Sequence, residues 1–169
     1  EALATSQSED LSSQLKNIGA TDITTNKRIL NSWIDIKRIP ELARLNALQY
    51  VEVVVSPSTD IGSVDSEADS AMVVKATRNT YGLDGTGVKI GVLSDSYNAN
   101  GGAAGTVLLG DLPGPGNPNG YTTAVTVVKD LVSGSDEGRA MCELIHDLAP
   151  GAALFANTAF LGQATFAND

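Results

Sequence analysis

Histidine and cysteine are almost absent from this 169-residue chain, which holds one of each, His146 and Cys142. A single thiol excludes an intrachain disulfide and any multi-thiolate metal centre. In mid-helix, Cys142 is expected to be a small buried residue rather than a reactive thiol. Basic residues are scarce as well: 11 Lys and Arg stand against 20 Asp and Glu, for a net charge of −9. No Lys/Arg cluster offers the basic face that phosphate binding needs, so nucleic acid is not an expected partner. No apolar run approaches the roughly 20 residues of a membrane span, and no membrane partner is expected. What is there is ordinary for a folded protein, with 42% hydrophobic and 18% charged residues. The length suffices for one good core, or for a small domain plus part of a larger one. The acidic balance keeps a protein soluble and suits a secreted enzyme that works in acid. The chain opens at Glu1 without Met, so an upstream segment is expected.

Residues 1–57 read as a small α+β unit. Ser8 or Asp10 can cap a helix carrying Leu11, Leu15 and Ile18, which Gly19 ends. Asp22 to Thr25 and Arg28 to Asp35 form a hairpin around Asn26-Lys27. A short helix over 39–45 has Pro40 in its first turn. Tyr50 to Val55 is a β-branched strand. One more strand, expected ahead of residue 1, would complete a ferredoxin-like β-α-β-β-α-β order. Residues 58–64 are a linker by composition. Beyond it the pattern alternates: a helix over 66–80, a glycine turn at 82–87, an apolar strand over 88–93, a long Gly/Pro/Asn-rich surface excursion over 96–121, a strand over 123–128, a helix over 135–148, a strand over 153–156 and the start of a helix at 162–167. Such alternation implies an open, mostly parallel sheet with helices on its faces. The 88–93 strand is apolar at nearly every position, as a buried central parallel strand would be.

Gly85-Thr86-Gly87 precedes its strand, whereas a dinucleotide fingerprint follows one, so it is expected to be a structural turn. Asp95 falls at the carboxyl end of the 88–93 strand, the edge where open α/β sheets bind ligands; a turn-forming or helix-capping Asp fits that place equally. At about 100° per residue, Met141, Leu144, Ile145 and Leu148 form one apolar stripe that includes Glu137. A carboxylate facing the protein body needs a partner or a function; the alternative is a first-turn Glu favoured by the helix dipole. His146 lies roughly 14 Å further along the helix and on the other face, too far to share a crevice with Glu137. It is expected to interact with the C-terminal end of the dipole. Glu143 and Asp147 are expected to form a solvated acidic face.

Together these pieces resemble the subtilase superfamily of serine peptidases, in a sedolisin-like branch. The segment 85–96, ending in Leu93-Ser94-Asp95-Ser96, is similar to the subtilisin segment that ends in the catalytic Asp. Leu148-Ala149-Pro150-Gly151-Ala152 is similar to the segment that follows the catalytic-base helix. That helix opens here with Glu137-Gly138-Arg139, where subtilisins have His and sedolisins Glu. Sedolisins place an Asp four residues after the Glu; here that residue is Met141.

The resemblance implies a secreted serine endopeptidase with a Ser-Glu-Asp triad whose Asp is Asp95 and whose base is Glu137. It implies a peptide or protein substrate, no cofactor (calcium in the full-length protein at most) and a three-layer, mostly parallel sheet of subtilisin type over 65–169. Ahead of that would stand a propeptide-like unit at 1–57. A base works best with a pKa near the operating pH, so a Glu base implies action in acid. Two close carboxylates can share a proton. No serine lies in a Gly-Thr-Ser-like context, so the chain is expected to be an inactive fragment that completes its sheet with the remainder of its own catalytic domain. The alternative is a non-catalytic, peptide-binding or structural domain of subtilase type.

Overall fold

The computed structural model describes residues 1–54 and 67–169. The expected linker at 58–64, the end of the Tyr50–Val55 strand and the Ser66 helix start lie outside these. The fold is mixed α/β, with an antiparallel sheet of four strands and a parallel sheet of three. Two compact units divide the chain: Glu1–Ser56 together with Leu161–Asp169, and Pro57–Phe160.

In the first unit β1 (Ala2–Ala4) precedes α1 (Ser8–Asn17). The hairpin of β2 (Thr21–Asn26) and β3 (Ile29–Trp33) follows, then a 3-10 turn, α2 (Ile39–Leu42) and β4 (Leu48–Val51). The strands run in the order β2-β3-β1-β4, every neighbour antiparallel. A strand ahead of α1 thus stands at residues 2–4. Three residues reading Ala-Leu-Ala are too short for periodicity and carry no β-branched side chain. They form a strand because pairing with β3 and β4 on both sides supplies the hydrogen bonds. Leu11 and Leu15 of α1 pack with Ala4, Leu30 and Leu42 in one core, as the i, i+4 spacing dictates. Gly19 ends α1 with φ 86°, and Lys27 turns the hairpin with φ 53°.

Residues 161–169 belong with this unit rather than with 65–160 as expected. Their helix α7 (Gln163–Phe166) follows Gly162, whose φ is 82°. Asn31 donates to the Leu161 carbonyl at 2.8 Å. A Cβ at residue 162 would overlap the Asn31 amide, and the positive φ adds strain. Gly162→Ala is expected to lower the unfolding free energy of this unit by about 1–3 kcal/mol, read from urea unfolding; an unchanged midpoint would contradict this packing.

In the second unit the helix expected over 66–80 is broken. α3 (Ala68–Ala71) and α4 (Val74–Tyr81) flank Val73, which has φ 57°. β5 (Lys89–Ser94), β7 (Ala153–Thr158) and β6 (Thr126–Lys129) form the parallel sheet in the order β5-β7-β6. Lys89 to Ser94 pair in register with Ala153 to Thr158. β5 is thus an edge strand among the described residues, not the central strand expected. Its burial alternates: Val92 and Ser94 are buried, whereas Leu93 is 49% exposed. The excursion after β5 is not all irregular, since α5 (Ala103–Leu109) lies within it between Gly102 and Gly110. Both glycines have positive φ and give the sequence its loop-like composition. The second core joins Val92, Tyr97, Leu112, Cys142, Leu154 and Ala156 beneath α6 (Glu137–Leu148). The glycine turn is structural in form: the Thr86 amide donates to Asp84 at 2.9 Å and the Gly151 amide to the Asp84 carbonyl at 2.7 Å.

Candidate functional site

The end of β5 and the start of α6 meet through Asp95. Its carboxylate is 4% exposed. Oδ2 accepts from the amide of Ser135 and from its hydroxyl at 2.5 Å; Oδ1 accepts from the Ser96 amide at 2.5 Å and the Glu137 amide at 3.2 Å. Burial by itself would raise this carboxyl. The Ser135 hydroxyl and amide, with the amides of Ser96 and Glu137, outweigh it and hold Asp95 below the ordinary carboxyl value. Glu137 and Gly138 open the helix, and helix-opening amides lack partners within their own helix. Asp95 takes the first and the Ser96 carbonyl takes the second at 3.0 Å. The strand end therefore caps the helix, and an anion there also meets the positive end of the dipole.

Glu137 is half-buried, and its Oε2 accepts from the Ser94 hydroxyl at 2.9 Å. The two sequence-predicted residues are thus brought together, in a way the sequence did not suggest. Asp95 grips the backbone of Glu137, and Ser94 grips its side chain. Asp95 is engaged by three amides and by the Ser135 and Ser96 hydroxyls.

Asp136 and Asp130 complete the arrangement. Asp136, 3% exposed, accepts from the Ser96 hydroxyl at 2.9 Å, from the amides of Ala99 at 2.7 Å and Asn100 at 3.1 Å, and from Arg139 at 2.9 Å. Burial opposes ionisation, but these donors, Ser96 foremost, hold its carboxyl low too. Asp130 accepts from the amides of Tyr97, Asn98 and Leu131 at 2.7–3.0 Å. Three aspartates thereby tie the segment after β5 to the segment before α6. Sequence reasoning missed Ser94, Ser96, Ser135, Asp136 and Asp130. The signal available was the pair of tripeptides Ser94-Asp95-Ser96 and Ser135-Asp136-Glu137 at the two chain ends that meet.

The phase of α6 differs from expectation. Gly138, Cys142 and His146 are buried, whereas Met141 is 37% and Leu144 42% exposed. The cause lies at the cap. The Ser96 carbonyl holds the Gly138 amide, so the side without a Cβ faces β5 and the true packing row runs 138-142-145-149. Glu137 therefore sits beside that row, held at the rim by Ser94. His146, expected to interact with the end of the helix dipole, is 3% exposed; burial lowers its pKa, partly offset by Asp111. Cys142 is a buried free thiol, pushed up to about 12 by burial. Glu143 is half-buried against Arg139 rather than fully solvated.

A Cβ on Gly138 would lie 2.7 Å from the Ser96 carbonyl oxygen and 3.3 Å from the Ser94 Cβ. Backbone cannot yield cheaply, so Gly138→Ala is expected to cost about 1–3 kcal/mol in denaturant unfolding. It also pushes Ser94 away from Glu137. Among the described residues, no group of three or more His, Cys, Asp and Glu side chains gathers as for a metal ion. No described helix is long and apolar enough to cross a membrane. Comparison with protein-family models, curated proteins and solved structures gives no match.

Proposed function

We propose that this site is the acidic part of a serine-peptidase centre of subtilase type, with Glu137 as general base and Asp95 as the residue that positions it. One observation carries this reading: a carboxylate at a strand end holds the amide of a second carboxylate-bearing residue at a helix start, at 3.2 Å, while the neighbouring hydroxyl fixes that side chain at 2.9 Å. A base needs an orienting group, and here orientation acts through the backbone and Ser94. Ser94 is 8% exposed beneath α6, which suits a positioning hydroxyl better than an attacking one.

The architecture lends further support. Strand, excursion, strand, helix and strand in a parallel sheet fit a subtilisin-type domain. The order β2-β3-β1-β4 with two helices supports reading residues 1–57 as a ferredoxin-like, propeptide-like unit. A secreted protein acting on peptides in acid follows from the same resemblance. The second reading, a non-catalytic domain of subtilase type, draws support from Met141, exposed where a sedolisin has Asp, and from the complete engagement of Asp95 by its own loops.

A fluorophosphonate separates the two. An activated serine displaces its fluoride and becomes a phosphonyl ester. The whole natural polypeptide is expected to take up one label at a single serine, and Glu137→Gln is expected to abolish the labelling. A folded natural protein that takes no label supports the non-catalytic reading instead.

A further inference from the structure

The one histidine of the chain is used by nothing described so far, and its surroundings are specific. His146 is 3% exposed. Its Nε2 lies 3.5 Å from the Nδ2 of Asn117, and the ring of Tyr121 stands edge-on to it, with centroids 5.4 Å apart. Both neighbours come from the segment between α5 and β6. The Asn117 amide cannot turn round freely. Its Oδ1 accepts from the Asn119 amide at 2.8 Å, and its Nδ2 donates to the Leu112 carbonyl at 2.8 Å and reaches the Gly110 carbonyl at 3.4 Å. An NH2 group is a donor only, so the ring nitrogen facing it must be the acceptor, which places the imidazole proton on Nδ1. Nδ1 is buried and has no hydrogen-bond partner among the described residues.

We propose that His146 and residues 113–121 form an acid-sensitive latch: the neutral imidazole holds the segment against α6, and its protonation releases it. A second ring proton would meet the Asn117 NH2 head-on, and turning the Asn117 amide would break its bonds to the Asn119 amide and to the Leu112 and Gly110 carbonyls. The rest of the segment is closed by its own turns, with the Gly114 amide on the Tyr121 carbonyl at 2.8 Å and the Asn117 amide on the Gly114 carbonyl at 3.0 Å. Leu112, fully buried, stays in the core, so lifting the segment also breaks the Asn117 bonds to the Leu112 and Gly110 carbonyls. Pro113, Gly114 and Pro115 also wall an open apolar cleft of about 300 Å³ with Tyr97, Ala104 and Val107, so release of the segment unroofs that cleft.

The charges around the latch are few. Asp111, which precedes the segment and stays with Leu112, favours the cation. On α6 itself stand Glu143 and Asp147; from α4, Arg78 donates to the carbonyls of Asp147 and Leu148. Burial outweighs Asp111 and keeps the folded imidazole below its ordinary value of 6.5. The sign follows from linkage: the open state binds the proton more readily, so the closed state is fully favoured above about pH 6.5 and loses ground as pH falls towards the lower closed-state value. Within that window the opening constant rises about tenfold per pH unit.

The latch stands apart from the peptidase reading, and its test needs no activity. Nitrogen NMR of the single imidazole, followed with amide hydrogen exchange of residues 113–121 in the intact chain, reads both halves. The neutral ring is expected to carry its proton on Nδ1. Exchange in 113–121 is expected to accelerate along the imidazole titration, while β5, β7 and the core of α6 stay protected. In His146→Gln, which keeps a neutral acceptor, that pH dependence is expected to vanish. The latch is overturned if the ring titrates without a change in segment exchange. It is equally overturned if the segment loosens only with global unfolding, or if the proton sits on Nε2. Should His146→Gln fail to fold, the coincidence of the two wild-type titrations decides alone.

Discussion

Asp95→Ala is expected to destabilise the 57–160 unit by about 3 kcal/mol, because it strands one buried and two half-buried donors at once. The amides of Ser96, Ser135 and Glu137 all lose their acceptor. The Ser135 hydroxyl can rotate away, but the three amides are fixed by the backbone. The loss also uncaps α6, and it removes an anion from the positive end of the helix dipole. Denaturant unfolding at neutral pH measures the total. The same carboxylate sets an acid limit. Asp95 and Asp136 are held below the ordinary carboxyl value, so their contribution is present above about pH 4 and is lost as pH falls through their lower folded values. Asp95→Ala should therefore flatten the stability profile below pH 4 as well as lower it. A variant as stable as the natural protein, with an unchanged acid limb, would remove Asp95 as the anchor of the site.

Glu137→Gln is expected to do the reverse: little effect on unfolding and a large effect on chemistry. Glutamine keeps an oxygen for the Ser94 hydroxyl and leaves the amide bond to Asp95 untouched. The side chain is half-buried, so a neutral replacement strands no deep charge. What it removes is the capacity to take a proton, which in general-base catalysis is worth about 10²–10⁴-fold in rate. The loss is expected in kcat and in kcat/KM alike, because the interaction exists only as the proton moves. An equal loss of rate and stability would instead describe a structural residue.

Much of this fold can be read from the sequence wherever periodicity is strong. The helix of Leu11 and Leu15, the hairpin about Asn26-Lys27 and the β5, α6 and β7 segments all stand near where their patterns place them. The expectations fail where long-range pairing decides. Ala2–Ala4 is a strand because it lies between two others. Residues 161–169 join the first unit through contacts with β2 and β3 that no local pattern announces. The apolar run of β5 suggested a strand buried on both faces, yet Leu93 faces out. The sequence singles out Asp95 and Glu137 but not the contacts that join them. The helical wheel of α6 is ambiguous because two apolar rows, 141-144-148 and 142-145-149, lie side by side. A hydrogen bond from Gly138 to Ser96 selects between them, and glycine carries no hydropathy signal of that choice. The buried histidine was hidden for the same reason.

The central claim is that Glu137 is a base and Asp95 its anchor. Hydrolysis of an unstructured peptide pool by the whole natural polypeptide, compared with Glu137→Gln at matched folded fraction, tests it most directly. The expected result is cleavage in mildly acidic buffer by the natural protein and a loss of about 10²-fold or more in the variant. Cleavage at an undiminished rate by Glu137→Gln, with circular dichroism showing both proteins equally folded, would contradict it.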